Sequence, residues 1–317
     1  MQEFLPIVAS VIGVFLVIGV GAFCRHRDWL TREADRSLAN LTTNVLLPAY
    51  FIEKILEGPQ YQSLHDAWQA PAFGFVVTSG GLLLSLLFAR VLGPWLGMRT
   101  DSSQRAFALC VGVCNYGFIP LPLAEKFYPD SVIDLIIHNV GVNLALWSVG
   151  IAIISGSARG GLRKALLSPP FLSVVIALVL RYTPLGEHLP SPALTAIQAC
   201  GACAIPMGLI LSGAIIVDFL RDSSWLGSPG ILISSLALRH AFFPVCVLSL
   251  ASLAGSTGLR EVLMLQAAMP AAILPIVLVR LYDRDTETAL RVVLASSVVG
   301  VVTIPAWLAI GKWWLGI

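Results

Sequence analysis

The sequence predicts an all-α integral membrane protein of ten transmembrane helices, arranged as two inverted repeats of five helices each. Three observations lead to this fold class. The chain of 317 residues is 57% hydrophobic and only 12% charged, whereas soluble domains carry about twice that share of charge. It divides into ten apolar segments, and prolines of its first half recur in its second half. The net charge of +2, without a long basic run, gives no indication of nucleic-acid binding.

Ten apolar segments account for most of the chain, and most of them reach the ~20 residues that a helix needs to cross a bilayer. The first is interpreted as a retained span rather than a signal peptide, because Glu3 is the only early charge and basic residues follow the apolar run. The sixth segment is the shortest. The predicted spans are residues 4–24, 38–56, 70–92, 105–128, 132–155, 167–183, 191–217, 230–254, 260–281 and 287–311.

The distribution of Lys and Arg predicts the orientation of these spans. Fourteen of the twenty Lys and Arg residues fall in the loops that follow spans 1, 3, 5, 7 and 9, and five fall on the opposite side. Cytoplasmic loops of membrane proteins carry an excess of these residues. We therefore expect both termini on the outer side of the membrane. The remaining basic residue, Arg239, lies inside span 8.

Prolines inside the spans recur at an interval of about half the chain length. Spans 2 and 7 each contain one near the middle of the helix, 158 residues apart, and spans 4 and 9 are each interrupted by two. Because each half has five spans, the second half enters the membrane in the opposite direction, which is the inverted-repeat plan of secondary transporters. The predicted units are residues 1–155 and 167–317, joined by a cytoplasmic linker over residues 156–166. The prolines are Pro48 and Pro206, then Pro120, Pro122, Pro270 and Pro275.

The interruptions of spans 4 and 9 predict a binding site near the middle of the membrane. A proline inside a helix removes a backbone hydrogen bond, and irregular backbone survives in lipid only inside the protein or beside a watery cavity. The N-terminal ends of half-helices offer free N–H groups and partial positive charge, which suit a carboxylate. Asn115, beside the first break, can add an amide donor. The alternative is a kink that only shapes packing, which suits the single prolines better than the paired ones.

Other polar residues within the spans are candidates for the same site. Arg239 lies about ten residues into span 8, so it is either a counter-charge for an anion or a side chain that snorkels to the headgroups. Asn139 and Asn143 share one face of span 5 and either line the cavity or join helices by hydrogen bonds. Asn44, one turn before Pro48, either bonds the carbonyl freed by that proline or points to the site.

Four stretches of the sequence follow the order and spacing of one family of membrane proteins. They are "LTTNVLLPAYFIEKI", "NYGFIPLPLAEKFYPD", "HNVGVNLALWSVG" and "LQAAMPAAILPIVLVRLYD", and they resemble helices 2, 4, 5 and 9 of the auxin efflux carrier family, the bacterial relatives of the plant auxin exporters. The resemblance implies a bile-acid-transporter-like fold in which helices 4 and 9 cross where they unwind. It also implies elevator-type transport of small organic anions, such as malonate, malate or auxin-like acids, across a bacterial inner membrane by a transport bundle that moves against a scaffold bundle.

The resemblance places the substrate at the crossing of helices 4 and 9. Asn115 matches the family's polar residue in the first crossover. The second crossover departs from the family, because members often have asparagine there whereas "PAAIL" is apolar, and the nearest amide is Gln266. The candidate substrate-binding residues are Asn115, Tyr116, Gly117, Pro120, Pro122, Gln266, Met269, Pro270, Pro275, Asn44, Asn139, Asn143 and Arg239.

Several alternatives stay open from the sequence. The main one is a sodium-coupled symporter of the bile-acid type, and a channel or receptor on a transporter fold is another. An intramembrane enzyme is not indicated, since the sequence has no HExxH motif and no paired deep carboxylates. We expect no cofactor and no metal site. The expected partners are a small organic anion and membrane lipid, and a co-transported proton or sodium ion and a homodimer are left open.

Overall fold

The computed structural model describes residues 4–58, 68–156, 161–222 and 228–317. Within these ranges the chain is helical with short connections, and its only β-type pairing is an isolated antiparallel bridge between Cys114 and Ala271. The predicted all-α class is thus confirmed. Glu3 and residues 157–160 of the predicted linker lie outside the described ranges.

Each predicted apolar segment coincides with one helix or with one pair of half-helices, which we label α1 to α10. Helices α2, α5 and α8 each contain one π-helical turn, at Thr42–Leu46, Leu146–Gly150 and Leu238–Phe242. A short helix, Gly161–Leu166, precedes α6. The helices are α1 Phe4–His26, α2 residues 32–57, α3 Gln69–Val91, α4a Asp101–Gly112, α4b Pro120–Phe127, α5 residues 132–155, α6 Pro169–Tyr182, α7 Ser191–Asp222, α8 Pro229–Ala251, α9a Thr257–Ala268, α9b Leu274–Leu281 and α10 Thr286–Leu315.

Six helices of the described chain are long and apolar enough to cross a membrane, namely α1, α3, α5, α7, α8 and α10. The other four predicted spans, α2, α4, α6 and α9, do not meet this requirement of length and apolar character, for different reasons. The first turns of α2 are polar, with the sequence "READR", and α6 has only 14 residues. Helices α4 and α9 are each divided into halves that are shorter than a span, because the chain leaves the helical conformation at residues 113–119 and 269–273.

Two π-helical turns have a local cause in the sequence. Proline removes a backbone N–H and crowds the carbonyl four residues earlier, and the π turn Thr42–Leu46 ends two residues before Pro48. The π turn Leu238–Phe242 stands in the same relation to Pro244. The wider turn relieves the steric conflict, so both helices continue through their prolines instead of breaking.

The helices associate in two groups. Helices α1, α2, α6 and α7 pack against one another, and α3, α4, α5, α8, α9 and α10 form the second group. The tightest contacts within a group occur at glycines, because small residues let helix backbones approach closely in a membrane protein. A Cβ atom at Gly21 of α1 would overlap the carbonyl oxygen of Ile210 in α7, and one at Gly213 would overlap that of Ile18. Gly74 and Gly141 make the equivalent close contact between α3 and α5.

We expect Gly21→Ala to destabilise the protein and Gly19→Ala to leave it intact. The added methyl group at residue 21 has to push α7 away, at a cost of about 1–3 kcal/mol for overpacking. A Cβ atom at Gly19 meets no atom within 4 Å, so that variant gains the better helix propensity of alanine. Thermal unfolding of both purified variants in detergent measures the difference, and equal melting temperatures would contradict the close α1–α7 contact.

Candidate functional site

The two interrupted helices cross at their breaks and pair through their backbones. Asn115 N–H donates to the Pro270 carbonyl over 2.7 Å, and Ala272 N–H donates to the Val113 carbonyl over 3.0 Å. These bonds satisfy backbone groups that lost their helical partners, and an unsatisfied backbone group costs several kcal/mol away from water. The breaks therefore stabilise each other, and neither is a local kink.

The two breaks differ in length, and the longer one supplies more of the site. The chain is non-helical for seven residues between α4a and α4b but for only five between α9a and α9b. Asn115, Tyr116 and Gly117 of the longer break are partly exposed, whereas Met269 and Pro270 of the shorter break are buried. The polar surface of the crossing therefore comes from α4.

A cavity of about 940 Å³ opens beside the crossing. Its walls come from α2, α5 and α7, and it extends to Arg163 and Lys164 in the connection between α5 and α6. Six candidates from the sequence line it: Asn44, Asn115, Tyr116, Gly117, Asn139 and Asn143. The other seven candidates are absent from its lining: Pro120, Pro122, Gln266, Met269, Pro270, Pro275 and Arg239.

The cavity also receives the N-terminal ends of two half-helices. Gly117 and Phe118 lead into α4b, and Ile273 and Leu274 begin α9b, and all four residues line the cavity. The unpaired N–H groups at a helix start carry partial positive charge. Pro120 and Pro275 occupy the first or second helical position, where proline fits because no intrahelical N–H bond is lost. These prolines therefore shape the breaks without facing the cavity.

A network of amide side chains holds the longer break in place. Asn139 Nδ2 donates to the Tyr116 carbonyl over 2.7 Å, and Gln266 Nε2 lies 3.4 Å from both that carbonyl and Asn139 Oδ1. Cys114 Sγ donates to Gln266 Oε1 over 3.0 Å, and the Tyr116 hydroxyl donates to Asn143 Oδ1 over 3.1 Å. Asn139 and Asn143 thus both line the cavity and join helices, and Gln266 serves the crossing itself.

Arg239 is buried behind the crossing, with 4% of its surface exposed. Its Nε donates to the Met269 carbonyl over 2.9 Å, and its Nη2 donates to the Gln266 carbonyl over 3.3 Å. The side chain therefore points into the protein and binds the end of α9a, and it does not snorkel to the headgroups. Arg239 lies in the π-helical turn of α8. The π-helical turn of α2 likewise contains polar residues of the site, because Thr42, Thr43 and Asn44 line the cavity.

Several lining residues escaped the sequence analysis. Thr42 and Thr43, Trp147 of the α5 π turn, Ser212 of α7, and the basic pair Arg163 and Lys164 all border the cavity. The basic pair was visible only as part of a charged loop. The proline that follows Thr42–Leu46 was the available signal for a π turn, and such turns occur frequently at functional sites.

Comparison with known proteins identifies the family. The sequence model of the family described as membrane transport protein, which is of the auxin efflux carrier type, matches residues 6–162 and 158–308. The chain belongs to this family. An uncharacterized transporter of Methanothermobacter thermautotrophicus is 21% identical over 94% of this chain and 96% of its own length. An uncharacterized transporter of Methanocaldococcus jannaschii is 21% identical over 93% of this chain and 95% of its own length.

The family membership confirms the resemblance found in the sequence. A third similar protein, an uncharacterized transporter of Schizosaccharomyces pombe, is 26% identical over 41% of this chain and 28% of its own. The protein is therefore a multi-pass membrane transporter of the membrane transport protein family.

We expect Asn139→Leu to lower the free energy of unfolding by about 1–3 kcal/mol, because it removes the shortest hydrogen bond to the Tyr116 carbonyl and one of the two acceptors of Gln266 Nε2. Gln266→Leu should cost a similar amount. Since Gln266 Nε2 also bonds Asn139 Oδ1 and either single variant already removes that bond, the double variant should lose less than the sum of the two single losses. The measurement is a double-mutant cycle, in which wild type, the two single variants and the double variant are unfolded thermally in one detergent. Strictly additive losses would show that Asn139 and Gln266 act independently.

Proposed function

We propose that this transporter carries small organic anions, namely monocarboxylates or dicarboxylates such as malonate or malate, or auxin-like acids. The observation that carries the proposal is the combination at the crossing of two half-helix N-terminal ends with the partly exposed amide of Asn115. Each helix end provides about half a positive elementary charge and free N–H donors. Asn115 Nδ2 adds a neutral donor that costs little to keep in the membrane.

The charge of the lining favours an anion over a cation. Among the described lining residues, the only charged side chains are Arg163 and Lys164, and none is acidic. Basic residues at the mouth raise the local concentration of anions and speed their entry. Apolar walls that include Phe51, Leu121 and Trp147 suit the hydrocarbon part of an organic acid.

The proposal includes the inverted-repeat architecture. All ten predicted segments have helical counterparts, and the broken helix α9a–α9b follows α4a–α4b by about half the chain, as expected for two repeats of five spans. With the basic loops on the cytoplasmic side, both termini lie outside, and the cavity opens to the cytoplasm because Arg163 and Lys164 stand at its mouth.

The proposed mechanism is an elevator-type alternation between two facing states. The group α3, α4, α5, α8, α9 and α10 would carry the crossing past the group α1, α2, α6 and α7. Two contacts lie on the sliding surface: Lys54 of α2 pairs with Glu125 of α4b over 2.9 Å, and Phe118 of the break packs directly on Gly208 of α7. Both contacts would have to separate for the site to face the other side.

We expect a small carboxylate to stabilise the wild-type protein against thermal unfolding, and Asn115→Ala to abolish this effect. A ligand present at 100 times its Kd contributes about 2.7 kcal/mol, which corresponds to a rise of several degrees in melting temperature. The screen uses malonate, malate and indole-3-acetate on purified protein, with Asn40→Ala, an exposed asparagine of α2, as the matched control. Equal stabilisation of wild type and Asn115→Ala would remove Asn115 from the site.

Counterflow in proteoliposomes then separates the functional alternatives. A carrier shows saturable exchange of the labelled acid that stabilised the protein, whereas a channel shows flux that does not saturate. Uptake that requires sodium would favour the sodium-coupled symporter instead. Flux without dependence on the identity of the acid would contradict the proposal.

We expect Arg163→Gln combined with Lys164→Gln to weaken the apparent affinity for the acid several-fold at low salt and to change it little at high salt. Their contribution is a long-range attraction at an exposed mouth, and salt screens such interactions over about 8–10 Å. Initial exchange rates at about 20 mM and about 300 mM potassium chloride measure the effect. An equal loss at both concentrations would indicate direct binding of the acid by these residues.

A further inference from the structure

Arg239 is a buried charge that has no carboxylate partner in the part of the chain that the structure describes. It forms no ion pair with any acidic residue of the described chain, and its neighbour His240 bonds the Ser296 carbonyl and the Thr303 hydroxyl instead. Two side chains are also close: the ring of Phe243, whose centroid lies 5.8 Å from the guanidinium carbon, and the thiol of Cys114 in the longer break. A buried charge requires compensation, and here it comes from backbone carbonyls.

Those carbonyls belong to the C-terminal end of α9a. Gln266 lies in the last turn of that half-helix, and Met269 is the first residue after it. The end of a helix carries about half a negative elementary charge on its unpaired carbonyls. In transporters with discontinuous helices, such ends and the unwound carbonyls beside them coordinate the co-transported cation. Arg239 therefore binds the groups that a coupling cation would need.

At the other broken helix, the carbonyls of the break have neutral partners. After α4a, the Val113 carbonyl accepts from Ala272 N–H, and the Tyr116 carbonyl accepts from the amides of Asn139 and Gln266. All of these donors are neutral. The Gln266 and Met269 carbonyls at the end of α9a therefore bind a charged donor, whereas the Val113 and Tyr116 carbonyls bind neutral ones.

We propose that Arg239 is a fixed counter-ion that replaces a soluble coupling cation at the end of α9a. The role of Arg239 in transport rests on the proposed function, the transport of small organic anions. The guanidinium neutralises the negative end of α9a, so that the positive ends of α4b and α9b dominate the potential at the cavity. It is a positioning residue, because it holds the Met269 carbonyl next to Pro270, whose own carbonyl accepts the Asn115 N–H.

The first experiment needs no substrate. Melting temperatures of wild type and Arg239→Ala are compared in sodium, choline and methylguanidinium chloride at equal ionic strength. We expect wild type to melt at the same temperature in sodium and choline and to gain no stability from methylguanidinium. Arg239→Ala should melt several degrees lower in choline and should recover in a dose-dependent manner with methylguanidinium, which refills the vacated position beside the two carbonyls.

Arg260→Ala is the matched control. Arg260 also donates through its Nε to a backbone carbonyl, that of Ala254 over 3.1 Å, but it is half-buried at the opposite end of α9a. Methylguanidinium should not stabilise this variant. Stabilisation of wild type by sodium over choline would overturn the inference, and so would an Arg239→Ala variant that neither methylguanidinium nor sodium stabilises.

A second pair of variants tests the charge and keeps the inference decidable where Arg239→Ala does not fold. Arg239→Lys keeps a cation and Arg239→Met does not, while both lose the guanidinium. For malonate binding to the purified protein in choline buffer, we expect Arg239→Met to be at least tenfold weaker than Arg239→Lys. Equal affinities of the two variants would overturn the role of the charge. If wild type does not bind malonate, the substrate proposal fails. The inference about Arg239 is then decided by the melting temperatures of Arg239→Lys and Arg239→Met in the three salts, with the criteria given for Arg239→Ala.

Discussion

The backbone pairing at the crossing of α4 and α9 is the contact on which the rest of the site depends. Two hydrogen bonds, between Asn115 and Pro270 and between Ala272 and Val113, replace helical bonds that the breaks have removed. Far from water, neither break is stable alone, because each would leave unsatisfied N–H and C=O groups. Their mutual satisfaction fixes the position of both half-helix starts, which gives the cavity its positive character.

Around this pairing, most residues either line the cavity or hold the crossing in place. Residues of the longer break and of the π-helical turns of α2 and α5 are among those that face the cavity. Residues that support the crossing from behind, Gln266 and Arg239, donate to backbone carbonyls and stay out of the cavity. Asn139 belongs to both sets, since it lines the cavity and holds the Tyr116 carbonyl. Loss of a supporting group should therefore disturb the site through the backbone.

Proline occurs in three different structural settings in the described chain. Pro120 begins a half-helix, where its missing N–H costs nothing. Pro48 follows a π turn that absorbs its steric conflict. Pro206 lies within α7, which runs on as a helix through residues 191–222. The same residue type thus begins a half-helix, follows a widened turn or lies within an uninterrupted helix.

The sequence by itself determined the class of the protein and the places where its helices break. Hydrophobicity and length fix the membrane environment, and the proline pairs at Pro120 and Pro270 fix the interruptions, because both follow from local chemistry. Only the tertiary structure decided which polar residues face the cavity. Gln266 and Asn115 look alike as isolated amides, yet one is buried within the crossing and the other lines the cavity. Similarly, the direction of Arg239 depends on where α9a ends beside α8, a distance between helices that no local pattern encodes.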